Sequence, residues 1–236
     1  MATTTLTPQA RALRSTVVTK AVMAVSGLIM VGFLVAHMYG NLLVFGGPVM
    51  FNEYAAHLRT IGEPMIPYSG ILWVVRIVLL VSVVAHIVSV VKLWRRSHAA
   101  TGTGKRYLSK KRRFTGVQGT YAAFTMRMGG ITLALYVVFH LLHLTWKVVN
   151  PGGGHEPYER VVLSFQNWWM VLIYALAMVF LGLHLRHGVW SALTTLGANT
   201  SPVARRRLNL VAVAVAVVLV IGFLLPPFSI LLGLVK

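Results

Sequence analysis

The chain alternates between long apolar stretches and short polar connections. Five of the apolar stretches are long enough to cross the hydrocarbon core of a bilayer as a helix, which takes about 20 residues. The connections between them contain glycine and proline or clusters of lysine and arginine. The pattern predicts an all-α, polytopic membrane protein, with residues 1–236 forming a single transmembrane domain. The predicted helices cover residues 17–45, 67–93, 120–148, 167–196 and 208–234.

The composition agrees with a membrane protein and narrows its chemistry. Hydrophobic residues make up 57% of the 236 residues, and the mean hydropathy is +0.74. The chain contains no cysteine, which excludes disulfides, thiolate metal sites and cysteine-ligated iron–sulfur clusters. Any redox metal must therefore be held by nitrogen, oxygen or methionine sulfur, and histidine is the first candidate.

The net charge of +18 reflects membrane orientation rather than nucleic-acid binding. The cations lie at the N-terminus and in the second and fourth connections, whereas all four acidic residues lie on the opposite side. The positive-inside rule therefore predicts a cytoplasmic N-terminus. We expect the basic connections to contact anionic lipid and a protein partner. Their residues are Arg95, Arg96, Lys105, Arg106, Lys110 to Arg113 and Arg205 to Arg207.

Four of the five predicted helices contain a histidine, which is rare inside a membrane unless it is bound to something. At about 1.5 Å per residue, His37 and His140 lie late in two outward-running helices and therefore near the outer side. His86 and His184 come shortly before basic residues that end inward-running helices, and so lie near the cytoplasmic side. The depths pair His37 with His140 and His86 with His184, at two levels ~15 Å apart.

Two pairs of histidines on four helices predict a bundle that holds two haems b, each with two axial histidines. Other residues near these positions are candidate cofactor contacts. Glycine has no side chain, so a glycine at the inner level leaves space for a porphyrin edge. Arginines near helix ends either extend to the interface or bind a haem propionate, and a histidine one turn beyond a ligand is either a hydrogen-bonded core residue or a propionate contact. The candidates are Gly27, Gly130, Arg76, Arg127, Arg186, His143 and His187.

The motifs around these histidines resemble those of the cytochrome b subunit of succinate:quinone oxidoreductases, in its single-subunit, five-helix, di-haem form. In that family the first and third helices hold one haem and the second and fourth hold the other, which is the pairing that depth predicts. The motifs are Ser26-Gly27…His37-Met38-Tyr39-Gly40-Asn41, Arg76…His86, Arg127-Met128-Gly129-Gly130…His140-Leu141 and His184…Gly188-Val189-Trp190-Ser191.

The resemblance implies an anchor subunit in a bacterial cytoplasmic membrane. It implies a flavoprotein with covalent FAD and an iron–sulfur subunit on the cytoplasmic face, where succinate chemistry takes place. Electrons would pass through both haems to a quinone, which is menaquinone in many relatives. Some fumarate-reducing relatives have a glutamate two residues before the ligand of the fourth helix, as a proton path. Gly182 stands there in this chain, which argues against that path.

The outer connection between the first two helices is the predicted quinone site. It holds the densest group of hydrogen-bonding and ionisable side chains outside the basic connections, and a quinone needs both donors and protons. Two alternatives stay open: the group caps a short amphipathic surface helix over residues 52–61, or the quinone binds on the inner side. The candidates are Glu53, Tyr54, His57, Arg59 and Glu63.

Two other functions are compatible with four membrane histidines. One is the cytochrome b subunit of another respiratory complex, such as a hydrogenase or a formate dehydrogenase. The other is a haem-free transporter that relays protons through histidine. The spacing of ten residues from glycine to histidine, found twice, favours the succinate family. No predicted helix contains an acidic residue, which argues against a proton-coupled transporter.

Overall fold

The structure is a computed structural model that describes residues 15–101 and 112–236, apart from the side chains of residues 100, 101 and 112–124. The regular elements of these residues are all helices, and five regions are long and apolar enough to cross a membrane. The predicted all-α, polytopic fold with five spans is therefore confirmed, and the chain is a multi-pass membrane protein. The helices are α1 (Thr16–Leu42), α2 (Gly47–Thr60), α3 (Gly70–Thr101), α4 (Arg112–His140), α5 (Pro157–Phe165), α6 (Trp168–Thr195) and α7 (Pro202–Leu231).

Local capping explains where several helices begin. The hydroxyl of Ser15 accepts a hydrogen bond of 3.1 Å from the backbone N–H of Val18 and caps α1. Ser201 caps α7 in the same way, and Pro202 follows it at the first helical position, where the missing N–H costs nothing. The helix thus begins at Pro202 rather than at residue 208, because hydropathy detects the apolar part of a helix and not its polar first turns.

The later parts of α3 and α7 also differ from the prediction. The helix α3 continues to Thr101 rather than to residue 93, through a basic segment that can extend beyond the bilayer. Helix α7 continues past Pro226 and Pro227 to Leu231 and buries both prolines.

Helices α1 and α6 form the centre of the bundle. Helix α1 packs against α3, α6 and α7, while α6 also packs against α4 and α7. Small residues allow the close contact of α6 with α7: a Cβ atom on Gly182 would lie 2.9 Å from Cγ2 of Val220. Gly182 therefore serves helix packing, and a glutamate at this position would meet α7.

The short helix α5 covers one end of the bundle, which we call the top. Its buried side chains pack against residues of α6 and α7, including Met170 and Ile230. The backbone N–H of Tyr158 donates to Oδ1 of Asn52 on α2 over 3.0 Å, and its hydroxyl donates to the carbonyl oxygen of Lys236 over 2.9 Å. Helix α5 was not predicted from the sequence.

Candidate functional site

The structure brings the four membrane histidines together in two pairs. The ring centroids of His37 on α1 and His140 on α4 lie 5.8 Å apart, with ring planes at 86°. Those of His86 on α3 and His184 on α6 lie 6.3 Å apart, with ring planes at 59°. We call the first the upper pair, since it lies toward the top of the bundle, and the second the lower pair.

Both separations fit one metal atom between two imidazoles. Nitrogens bound at about 2.0 Å on opposite sides of a metal lie about 4 Å apart, which puts the ring centroids about 6 Å apart. The described residues contain no group of three or more His, Cys, Asp or Glu that could hold a metal ion. A bare ion usually takes more protein ligands than two, whereas haem iron receives the rest from its porphyrin. The donor set therefore fits haem.

Two glycines let the lower pair approach the backbone of neighbouring helices. A Cβ atom on Gly27 would lie 3.4 Å from Cε1 of His86, and one on Gly130 would lie 3.8 Å from Cε1 of His184. Each glycine belongs to the membrane-spanning helix that precedes the spanning helix of its histidine. That these glycines leave space for a porphyrin edge stays a prediction; their nearest side-chain neighbours in the structure are the imidazole rings.

The two members of the lower pair differ in their second ring nitrogen. Nδ1 of His86 lies 3.0 Å from the carbonyl oxygen of Met23, so an N–H there donates to the backbone and leaves Nε2 for a metal. Nδ1 of His184 is buried and, within the described part of the chain, has no hydrogen-bond partner. Such an atom calls for an explanation in a folded protein, and a bound group beside the ring is one of the usual ones.

Aromatic rings and helix α7 hold the first member of the upper pair. His37 stacks on Phe33 with ring centroids 5.2 Å apart and lies 5.9 Å from the ring of Phe223 on α7. The neighbouring Met38 occupies the place that a side chain on Gly222 would fill. Helix α7 has no histidine, but it packs against the upper pair. This packing was not predicted from the sequence.

A hydrogen-bond chain holds the second member of the upper pair. The hydroxyl of Tyr174 lies 3.2 Å from Nδ1 of His140 and 2.8 Å from Nδ1 of His143, whose Nε2 lies 2.9 Å from Oγ of Ser164 on α5. A π-helical turn, Leu141–Thr145, follows α4 directly, and such turns are frequent at functional sites.

Of the two roles predicted for His143, the structure favours that of a hydrogen-bonded core residue. We predicted that His143, one turn beyond the ligand candidate His140, is either a hydrogen-bonded core residue or a contact to a haem propionate. Its side chain is fully buried, and both ring nitrogens pair with protein hydroxyls, which leaves neither for a propionate. Tyr174 and Ser164 were not predicted as site residues from the sequence. A tyrosine inside a predicted membrane helix is a signal for them, because its buried hydroxyl needs a partner.

The other candidate cofactor contacts lie on the surface of the bundle. The guanidinium of Arg76 is exposed and lies 5.0 Å from the ring centre of Trp73. Arg127, Arg186 and His187 are exposed as well. Such positions suit side chains that extend toward the membrane interface, and the assignment of these residues to propionates remains a prediction.

The candidate quinone residues lie on α2 and in the loop after it. Glu53, His57 and Glu63 are exposed, while Tyr54 packs over Gly40 of α1. The guanidinium of Arg59 donates to the carbonyl oxygen of Ala55 in its own helix over 2.7 Å. The surface helix that we weighed as an alternative over residues 52–61 is present as Gly47–Thr60.

A cavity of about 260 Å³ lies between α1 and α3, on the far side of His86 from the top. Two of its lining hydroxyls belong to the buried residues Thr19 and Ser89, and Lys92 lies at the end nearer the basic connection. The lining residues are Val18, Thr19, Val22, Ala85, Val88, Ser89 and Lys92.

Comparison with known proteins gives one result. A family model described as the succinate dehydrogenase/fumarate reductase transmembrane subunit matches residues 103–223, which include one histidine of each pair. Neither the curated proteins nor the solved structures gave a match. The family match confirms the resemblance inferred from the motifs.

Proposed function

Because the chain belongs to the succinate dehydrogenase/fumarate reductase transmembrane subunit family, we propose that it is the di-haem membrane anchor of such a complex. It holds two haems b and passes electrons between an iron–sulfur partner and a quinone. The observation that supports this proposal is the pair of histidine sites, with centroid separations of 5.8 and 6.3 Å, built from four membrane helices.

Bound haem iron supplies one-electron transfer. His37, His140, His86 and His184 would hold the iron, and their position within membrane-spanning helices would keep water from it. Gly27 and Gly130 lie at the level of the lower pair and come ten residues before His37 and His140. At the helical rise of about 1.5 Å per residue, the two levels are therefore ~15 Å apart along the bundle.

The partners belong on the face of the basic connections. In this proposal a flavoprotein with FAD and an iron–sulfur subunit bind there, on the cytoplasmic side of a bacterial membrane. Arg95, Arg96 and Arg205 to Arg207 are exposed on that face. Lys105, Arg106 and the side chains of Lys110 to Arg113 lie outside the described residues. Each cation near an anionic leaflet also gains about 1 kcal/mol from lipid.

The haem content of the purified complex tests the proposal. We expect two haems b for each copy of the chain, and one in the His86→Ala or His37→Ala variant. His155→Ala is the matched control, because His155 is exposed and lies outside the spans. Unchanged haem in both ligand variants would contradict the assignment. A flavin-bearing subunit of dehydrogenase size that copurifies would distinguish this complex from a hydrogenase or formate dehydrogenase.

We place quinone reduction at the top, near the upper pair, with menaquinone as the expected substrate. Helix α2 carries the ionisable groups Glu53 and His57 beside this level, and Glu63 follows it. We expect Glu53→Gln or Glu63→Gln to lower quinone-linked activity while activity with an artificial acceptor stays normal. Glu156→Gln is the control, since this carboxyl is also exposed at the top.

A second candidate for the quinone site is the cavity between α1 and α3. The hydroxyl of Ser89 and the ammonium of Lys92 offer donors to a quinone carbonyl close to the face where the iron–sulfur subunit binds, whereas the Thr19 hydroxyl donates to the carbonyl oxygen of Ser15. If both glutamate variants keep full quinone-linked activity, Ser89→Ala is expected to lower it instead.

A further inference from the structure

We propose that Tyr174, His143 and Ser164 form a hydrogen-bond relay that acts on His140 and lowers the reduction potential of the upper haem. This inference rests on the proposed function, because it requires His140 to be an iron ligand. Tyr174 is then a positioning residue, and His143 acts through Tyr174 rather than on the iron.

The donors and acceptors of the relay permit one direction when His140 binds iron through Nε2. Its Nδ1 then carries the proton and donates to the hydroxyl oxygen of Tyr174. The tyrosine proton is donated to Nδ1 of His143, the shorter contact of 2.8 Å. The remaining proton of a neutral His143 is on Nε2, which donates to Oγ of Ser164 over 2.9 Å.

Burial strengthens the hydrogen bonds of the relay. His143 and Ser164 are fully buried, and Tyr174 is 7% exposed. Hydrogen bonds in a chain polarise one another, and a low dielectric strengthens each of them. Each acceptor in the chain therefore strengthens the donation from His140, which makes the imidazole a better electron donor and favours oxidised iron.

Packing alone does not account for the three polar side chains. The ring of Tyr174 already packs against Phe165 and Tyr136, with centroids 4.8 and 5.2 Å away, and phenylalanine would preserve these contacts. An apolar set at these positions would avoid the cost of removing polar groups from water. Within the described part of the chain, the hydroxyl of Tyr174 contacts His140 and His143, and ring packing does not require it.

The test is a redox titration of each haem in the purified complex. The signal that is missing from His140→Ala identifies the upper haem, and electron paramagnetic resonance follows its axial ligation. In Tyr174→Phe we expect the ratio of reduced to oxidised upper haem at a fixed potential to rise three- to tenfold, or about 30–60 mV for one electron. The lower haem should not change.

Tyr136→Phe is the matched control. Tyr136 also lies beside His140, with ring centroids 5.8 Å apart, but among the described residues its hydroxyl makes no hydrogen bond to a histidine. We expect both potentials of this variant to equal those of the wild type. An equal shift in both variants would overturn the relay, because it would reflect packing.

Other outcomes also decide the question. A Tyr174→Phe complex that keeps both haems at unchanged potentials overturns the relay and leaves the di-haem function intact. If this variant loses the upper haem, Ser164→Ala decides, since it removes the last acceptor without touching His140; a smaller upward shift supports the relay and no shift overturns it. A wild-type complex without haem would refute the proposed function and the relay together.

Discussion

The two histidine pairs are built by different parts of the protein. Backbone atoms define the lower pair: two glycines lie against its rings, and His86 donates to a main-chain carbonyl. Side chains from other helices define the upper pair, namely Phe223 of α7, Tyr174 of α6 and, through His143, Ser164 of α5.

This difference predicts how each site responds to substitution. A backbone carbonyl cannot be removed by mutation, so the lower pair is sensitive mainly to added volume at its glycines. The upper pair depends on single hydroxyls and rings, and each of these can be removed separately. We therefore expect loss of cofactor from changes at the lower site and graded changes in potential or stability at the upper site.

The largest effect is expected from Gly27→Leu. A leucine side chain would enter the space where His86 packs, because even a Cβ atom would lie 3.4 Å from the ring. The haem content of the purified complex should fall by half, with the lower haem lost and the upper haem kept. Gly32→Leu is the control on the same helix, since a Cβ there meets nothing within 4 Å. Equal loss of both haems in Gly27→Leu would mean that the two sites do not fold independently.

An intermediate effect is expected from Gly222→Leu. The new side chain would collide with Met38 and separate α7 from α1 beside His37. Overpacking of this kind costs about 1–3 kcal/mol, so thermal unfolding of the complex should begin at a lower temperature. The upper haem signal should broaden while the lower one is unchanged. A broadened lower signal instead would show that α7 supports the other pair.

The smallest effect is expected from Ser26→Ala. The hydroxyl of Ser26 donates mainly to the carbonyl oxygen of Val22 over 2.7 Å and makes a longer contact of 3.2 Å with the carbonyl oxygen of Met23, which also accepts from His86. Without it, donation from His86 strengthens, and the reduced fraction of the lower haem should fall by less than about threefold, or ~30 mV. The upper haem is the internal control in the same titration, and a rise in the lower potential would contradict this reasoning.

The fold could be predicted from the sequence because apolar stretches of membrane length have few alternative structures. Helical rise sets depth along a helix, so positions alone could pair His37 with His140 and His86 with His184. They could not indicate which rings and hydroxyls of other helices face these histidines. The hydroxyl of Tyr174 indicates that this side chain needs a partner, but which residues lie beside Tyr174 and Phe223 depends on how the helices rotate and pack.

Short amphipathic segments were also difficult to predict. The helix α5 lies in a connection that begins with Asn150, Pro151 and three glycines, which reads as a turn. Its burial depends on contacts with α2, α6 and α7, and those with α2 and α7 come from distant parts of the sequence. Helix Gly47–Thr60 was weighed only over residues 52–61, because Gly46, Gly47 and Pro48 at its start are typical of a turn.

The glycine contacts of the lower pair join four of the five spanning helices into two hairpins of the same kind. In one, Gly27 of α1 faces His86 of α3; in the other, Gly130 of α4 faces His184 of α6. Each hairpin carries one upper and one lower histidine, so neither can complete a site alone, and their association completes both at once. The same arrangement of one glycine and two histidines thus occurs in both hairpins, and in the proposed function each haem would link one hairpin to the other.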